Sequence, residues 1–271
     1  MNAPIDFRAR FGFHSAPFTR EITLQQRFAL DSFDQALTAL QRAVEQRSSA
    51  ALVAPAGTGK TALLRALVGK LPEARFAVHY VKVTGLSKRD MCREIAMACG
   101  AEPAGSYPML VRRLQERFVA TLSTDGVRPV LILDEAHDLR SDVLDMLRLL
   151  TNFEMDSKLV LSVILAGQTP LRAMLKSDLH ESLARRLCHI AGLRLLTREE
   201  SARYIAHRCT IAGATSVPFD AAALDAVHEI ASGNLRATDQ LAAKSLETAH
   251  DLGVTVVDAN HVVQARRVLF P

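Results

Sequence analysis

Tryptophan is absent from the 271 residues, tyrosine occurs three times, and Phe, Trp and Tyr together make up only 5% of the chain. A core with so few rings has to be aliphatic, and Ala- and Leu-rich segments favour helices and buried parallel strands over a β-sandwich. Cysteine is also scarce. Cys92, Cys99, Cys188 and Cys209 form no CxxC pair and have no His at metal-ligand spacing, which argues against a zinc site or a disulfide framework. Cys92 and Cys99 fall on one expected helix, where two buried thiols are the plainer reading. Apolar runs such as 159–167 are far shorter than the ~20 residues that span a bilayer. The start, Met1-Asn-Ala-Pro-Ile-Asp-Phe-Arg, carries an acid early and lacks a signal peptide's apolar stretch. The expectation is a protein of a reducing cytoplasm with no membrane span.

What is present is ordinary for a globular protein: 49% hydrophobic and 23% charged residues, which excludes disordered, collagen-like and disulfide-scaffold classes. Lys and Arg (33) exceed Asp and Glu (29), a net charge of +4 that leaves room for a polyanionic partner without demanding one. The length fits one large domain, or a core with a smaller appendage.

Periodicity gives the organisation. A helix is expected over 31–46, with Phe33, Ala36, Leu37, Leu40 and Val44 on one face. Strands are expected over 50–54, 76–83, 130–133, 159–165 and 190–195, and helices over 61–71, 87–99, 109–122 and 142–153. Strands alternating with helices predict an α/β fold, a parallel sheet covered on both faces. From Thr197 the pattern is helical only, opened by a capping box of Thr197 and Glu200, with further helix starts at Pro218-Phe-Asp and Val257-Asp-Ala. The reading is an α/β core with an N-terminal extension over 1–196 and a small all-helical lid over 197–271.

Between the first strand and its helix stands Ala54-Pro-Ala-Gly-Thr-Gly-Lys-Thr61, a P-loop with Ala54 in place of its first glycine. Gly57 and Gly59 let the backbone turn its N–H groups onto phosphate oxygens, so Ala56, Gly57, Thr58, Gly59, Lys60, Thr61 and Ala62 are the expected ATP contacts. Lys60 supplies charge to the β- and γ-phosphates. Thr61 offers its hydroxyl to Mg²⁺ at a helix N-terminus.

The strand Val130-Leu-Ile-Leu ends in Asp134 and Glu135. Carboxylates at the C-terminal edge of a parallel sheet lie where ligands bind. Asp134 suits Mg²⁺ and Glu135 suits activation of the attacking water. Asp134-Glu-Ala-His137 also spells the box of a helicase superfamily, but that reading needs a second RecA-like domain, and His137 is expected only to pack or cap beside the strand. Gln168, after the next strand, is placed to sense the γ-phosphate or the water. Its plainer role is a turn residue. Arg185 or Arg186, ahead of the last strand, suits an arginine finger at a subunit boundary, or else a solvated basic pair. Arg236, in Gly233-Asn-Leu-Arg236, suits a lid contact with the phosphates, or else a surface arginine after a helix break.

In this order the P-loop, acidic strand, polar sensor, finger and lid arginine resemble an AAA+ ATPase, from about Phe11 to the end of the chain. Phe11-Gly-Phe-His-Ser-Ala-Pro-Phe18, Leu165-Ala-Gly-Gln168 and the segment from Ser232-Gly233 to Arg236 resemble the ExeA-like group. That resemblance implies one of two roles. One is a membrane-anchored secretion or envelope-assembly ATPase acting on a protein partner without DNA. The other is a stand-alone transposon-encoded ATPase of the TnsC, TniB, IstB or Mu B type. These bind double-stranded DNA when loaded with ATP, form rings or helical filaments of identical subunits, and recruit a transposase. On the ground that the sequence ends after the lid, the second is the expectation.

The DNA contacts implied are those of a basic segment after the second strand, here Lys82, Lys88 and Arg89 with Arg93 one turn on. Ser-Lys-Arg at a helix start can bind phosphate, while Asp90 and Glu94 keep a mixed-charge exposed helix equally open. Without interleaved aromatics, binding would be backbone-directed and salt-sensitive. A scaffold that binds ATP and hardly hydrolyses it is the third reading.

Overall fold

The computed structural model describes residues 8–124, 126–155 and 157–269. By packing the chain forms two compact units, one of residues 31–55 and 59–193, the other of 8–30, 56–58 and 194–269.

The first unit is a five-stranded sheet in the order β2-β3-β4-β1-β5. Its strands are β1 (Ser49–Val53), β2 (Phe76–Lys82), β3 (Arg128–Asp134), β4 (Ser162–Gly167) and β5 (Leu187–Gly192). Every neighbouring pair is parallel. The longer helices are α1 (Asp31–Glu45), α2 (Lys60–Lys70), α3 (Lys88–Ala98), α4 (Tyr107–Ser123), α5 (Ser141–Leu150) and α6 (Thr169–Lys176). The expected α1 face, Phe33, Ala36, Leu37, Leu40 and Val44, is buried. β1, β3 and β4 are buried along almost their whole length, as strands covered on both faces must be. Packed against them, Met91, Ile95, Leu110, Leu114, Leu144 and Leu147 form a core that is nearly all aliphatic. Cys92 and Cys99 are buried, and burial pushes the Cys92 thiol up to about 12, so it behaves as a small apolar group.

Three elements differ from the sequence expectation by three residues. β4 begins at Ser162 rather than Leu159: Val160 and Leu161 are buried, but the ladder with β3 starts at Ser162. β5 covers Leu187–Gly192 rather than 190–195, because its partner β1 ends at Val53, opposite Gly192. α5 stops at Leu150, where the Thr151 hydroxyl donates to Leu147 O (3.1 Å), and buried Phe153 instead bridges to Lys158. At β4 and α5 an apolar run marked burial rather than the hydrogen-bonded element.

The second unit holds α7 (Arg198–Ile211), α8 (Ala221–Ala231), α9 (Leu235–Asp251) and α10 (Ala259–Leu269). The expected capping box is formed at Thr197 and Glu200. Arg194 grips both Glu200 oxygens at 2.6 and 2.7 Å, holding that carboxyl down at about 2. Asp220 caps α8 by accepting from Ala223 N at 2.7 Å.

Residues 8–30 pack in this unit, not with the α/β core to which the 1–196 reading joined them. The reason is aromatic. Phe11, Phe13 and Phe18 join Phe219, Ile205 and Leu246 in a second core, to which the N-terminal segment contributes three rings. Phe18 stands edge-on to Phe219 with centroids 6.2 Å apart.

Beneath that contact lies a buried polar group. Arg208, 2% exposed, donates to Thr19 O, to Tyr204 Oη at 2.8 Å and to Asp239 Oδ2 at 3.3 Å. Tyr204 Oη donates to Asp239 Oδ1 at 2.8 Å. Burial raises the Asp239 carboxyl to about 6, although Arg208 and Tyr204 pull it back. The folded protein therefore holds this proton more tightly than the unfolded chain does. The stability it contributes is complete below about pH 4 and is lost as pH rises through about 6. Urea unfolding from pH 4 to 6.5 should show wild type losing on the order of 1–3 kcal/mol relative to Asp239→Asn. Parallel pH curves for the two proteins would refute the assignment.

Candidate nucleotide and water-activating site

The end of β1 turns into the P-loop. Ala54 is buried, and its N–H continues the sheet by donating to Gly167 O at 3.1 Å. Its methyl group occupies interior space, so the missing glycine does not disturb the turn. Gly59, at φ 95°, gives the left-handed backbone from which α2 starts, and the N–H of Leu63 bonds back to its carbonyl at 3.0 Å. Lys60, only 7% exposed, donates to Ala54 O (3.3 Å) and Pro55 O (3.1 Å). A nearly buried ammonium group beside an open helix N-terminus is a strongly anion-seeking arrangement.

Thr61 and Asp134 are brought together as expected. The Thr61 hydroxyl donates to Asp134 Oδ2 at 3.4 Å, and Asp134 Oδ1 accepts from Glu135 N at 2.9 Å. A hydroxyl and a carboxylate are hard oxygen donors that fit Mg²⁺, which takes few protein ligands and fills its octahedron with phosphate oxygens and water. Among the described residues there is no cluster of three or more His, Cys, Asp or Glu able to hold a metal by itself.

Tyr80, which carries no sequence signal, also belongs here. Its hydroxyl donates to Asp134 Oδ2 at 3.0 Å, because β2 lies next to β3 with Lys82 opposite Asp134. Burial and the Asp134 carboxylate push the Tyr80 phenol up to about 12. It therefore stays a hydrogen-bond donor that holds the carboxylate in place.

Glu135 has a left-handed backbone, φ 58° and ψ 36°, unusual for a residue with a side chain. Its side chain is half-buried, and the buried Oε2 makes no hydrogen bond and lies 3.5 Å from His137 Nδ1. Gln168 is brought to the same place, with its side-chain nitrogen 2.8 Å from His137 Nε2. His137 thus sits between the two residues, more than the packing or capping expected of it.

The arginine pair separates. Arg185 is exposed (75%) and bound to Glu181 at 2.7 Å, one turn away, whereas Arg186 is half-buried and donates to Thr151 O at 3.4 Å. An exposed i,i+4 pair holds its arginine weakly.

The tip of the P-loop, residues 56–58, packs within the second unit. Asn234 caps α9 by accepting from Ala237 N (3.1 Å), and its Nδ2 donates to Ala56 O at 2.7 Å. Gly57, at φ 72°, is necessary for a second reason as well: a Cβ there would run into Asn234. The backbone N–H of Arg236 donates to Gly57 O at 3.2 Å. A cavity of about 400 Å³ is lined by Gly57, Asn234, Arg236, Gln240 and Arg266, so a second arginine joins the one expected.

The basic segment is partly engaged within the chain, although Lys88 and Arg89 remain exposed. Lys88 stacks its ammonium over Tyr107 (4.9 Å), Arg89 donates to Gly105 O (3.1 Å), and Arg93 pairs with Asp90 (3.2 Å). Lys82, at the end of edge strand β2, is exposed.

Fold and site together define a P-loop ATPase of the AAA+ class, and residues 41–175 match the family model of the AAA domain. Over 248 residues the chain is 29% identical to General secretion pathway protein A of Aeromonas hydrophila, which supports an ExeA-like AAA+ ATPase. That match takes in 90% of this chain but 45% of the relative, so the chain spans less than half of that protein's length. Among solved structures, Cdc6p of Pyrobaculum aerophilum superposes with a TM-score of 0.71 at 18% identity, covering 93% of this chain and 70% of that one. The ORC1 protein of Aeropyrum pernix, solved in complex with DNA, gives 0.67 at 19% identity, covering 95% and 70%. Both likenesses show the fold. No helix among the described residues is long and apolar enough to cross a membrane.

Proposed function

We propose that this ATPase is a nucleotide-driven switch acting on a protein partner in secretion or envelope assembly. The observation that carries the reading is the 29% identity to General secretion pathway protein A, which runs through both units and not just the P-loop. ATP with Mg²⁺ binds through residues 56–62, with Thr61 and Asp134 for the metal, and Arg236 is a phosphate contact by the family resemblance alone. Glu135 activates the water and Gln168 senses the γ-phosphate. Arg185, exposed and weakly held, serves as the finger that completes a neighbouring subunit's site, so the ATP-bound form is an oligomer. An enzyme that consumes ATP works where ATP is available, and the reading carries the cytoplasm as its compartment.

The second reading is ATP-dependent binding of DNA, coupled to transposase recruitment. It is favoured by exposed Lys82 beside a helix start where Ser87 caps Asp90 N at 3.3 Å. It ranks second because Lys88, Arg89 and Arg93 all have contacts within the chain.

Fluorescence anisotropy on a labelled duplex, titrated with salt in ATP, in ADP and without nucleotide, decides between them. The protein-partner reading expects no ATP-dependent binding at low salt and no change in ATPase rate on adding DNA. Binding that needs ATP, disappears in Lys60→Ala, and weakens steeply with salt would replace it by the DNA reading.

A further inference from the structure

We infer that His137 is a positioning residue that couples the γ-phosphate sensor Gln168 to the water-activating carboxylate of Glu135. The inference rests on Glu135 being that carboxylate.

His137 lies in the single 3₁₀ turn Ala136–Asp138 that follows β3, and its side chain is 13% exposed. Both ring nitrogens face functional groups. Nε2 is 2.8 Å from the Gln168 side-chain nitrogen, and Nδ1 is 3.5 Å from Glu135 Oε2. Asp138 Oδ1 lies near Nε2 at 3.8 Å, but that carboxylate is 57% exposed and solvated.

The proton position follows from satisfaction of these groups. Glu135 Oε2 is a buried carboxylate oxygen with no hydrogen bond, and its orphaned state is costly unless a donor faces it. The Gln168 amide can donate to Nε2 only if Nε2 carries no proton. Neutral His137 then carries its proton on Nδ1, which lies 3.5 Å from Glu135 Oε2. One amide and one imidazole thus form a relay from the end of β4 to the carboxylate after β3. The backbone N–H of Gln168 also donates to Nδ1 at 3.4 Å, so Nδ1 carries the proton only when that weak bond is given up.

The chain is built to permit this approach. A Cβ on Gly167 would sit 3.0 Å from His137 N and 2.9 Å from Leu171 Cδ2, so a side chain there would crowd the turn that carries His137. Glu135 at φ 58° completes the bend that brings its side chain back toward the imidazole. Movement of the Gln168 amide onto a terminal phosphate would withdraw the donor from Nε2. That frees the imidazole to exchange its proton between nitrogens, and with it the hold on Glu135.

The test is steady-state ATP hydrolysis by the full chain, with nucleotide affinity measured separately on a fluorescent ATP analogue and folding followed by circular dichroism. His137→Ala should lower kcat about 10- to 100-fold, a part of what the base itself contributes, while KM and analogue affinity stay within about threefold. His137→Asn, whose amide nitrogen takes the place of Nδ1, should recover kcat to within about fivefold of wild type. His137→Ala combined with Gln168→Ala should be no slower than the slower single variant, because the two act as one unit. If His137→Ala keeps kcat within twofold while Glu135→Gln is inactive, the coupling is refuted and the base assignment survives. Equal losses in His137→Ala and His137→Asn, with lowered melting temperatures, would reduce His137 to a packing residue and overturn the inference. A fully active Glu135→Gln removes the reading beneath it.

Discussion

Glu135→Gln should bind ATP with affinity close to wild type and hydrolyse it about 10²- to 10⁴-fold more slowly, the range that a positioned general base contributes. The substitution is nearly isosteric. It leaves the left-handed backbone and the Glu135 N–H bond to Asp134 Oδ1 (2.9 Å) intact, so the Thr61–Asp134 pair keeps its geometry. What it removes is basicity, since an amide oxygen cannot take a proton from water. Because phosphoryl transfer relies mainly on positioning and charge neutralisation, the rest of the site continues to bind nucleotide. The ATP-loaded state should then accumulate, and any ATP-dependent oligomer should persist in sedimentation long after wild type has turned over its nucleotide. Normal turnover by Glu135→Gln would falsify the assignment and move the base elsewhere. Loss of analogue binding would make Glu135 structural instead.

The residues legible in the sequence are those whose geometry is set along the chain. Lys60 follows Gly59 and Thr61 follows Lys60, so one turn of backbone fixes where all three lie. Asp134 ends a buried strand, and parallel sheets place strand ends together. Tyr80 and His137 were out of reach for the opposite reason. Tyr80 meets Asp134 only because β2 is the neighbour of β3, and His137 meets Gln168 only because β4 is its other neighbour. Strand order is not written in the spacing of any motif. Asn234 is similar: an N-cap is readable from sequence, but its second bond, to Ala56 O, depends on how the loop tip packs.

Two further expectations depended on information that linear sequence does not carry. The basic segment was a string of charges, and a string does not reveal that Asp90 pairs with Arg93 or that Tyr107 lies under Lys88. The end of the chain, taken as an argument for a stand-alone role, no longer bears on the choice, because the matched relative is more than twice as long as the match. The short Phe-Gly-Phe-His-Ser-Ala-Pro-Phe motif, by contrast, gained a structural purpose: three of its rings fill the core of the second unit.

Arg208→Met should destabilise the folded protein by about 3–5 kcal/mol at neutral pH, the cost of breaking a buried ion pair from one side. The methionine fills similar volume, so the loss is electrostatic and not a cavity effect. It leaves the Thr19 carbonyl without its donor and Asp239 without its paired guanidinium, held by the Tyr204 hydroxyl. The effect has a built-in pH signature. Asp239 already titrates near 6 in the intact protein, and removing Arg208 raises it further, so below about pH 5 the carboxyl is neutral in the variant and the penalty shrinks. Arg208→Met with Asp239→Leu should recover most of the stability, since a buried pair replaced by apolar side chains is often neutral. Because Arg208 ties Thr19 to α7, the single variant should also expose residues 8–30 to limited proteolysis well before the α/β unit is cut. A single variant that unfolds within about 1 kcal/mol of wild type, with unchanged proteolysis, would mean that the Phe cluster alone holds the N-terminal segment and that the ion pair is incidental.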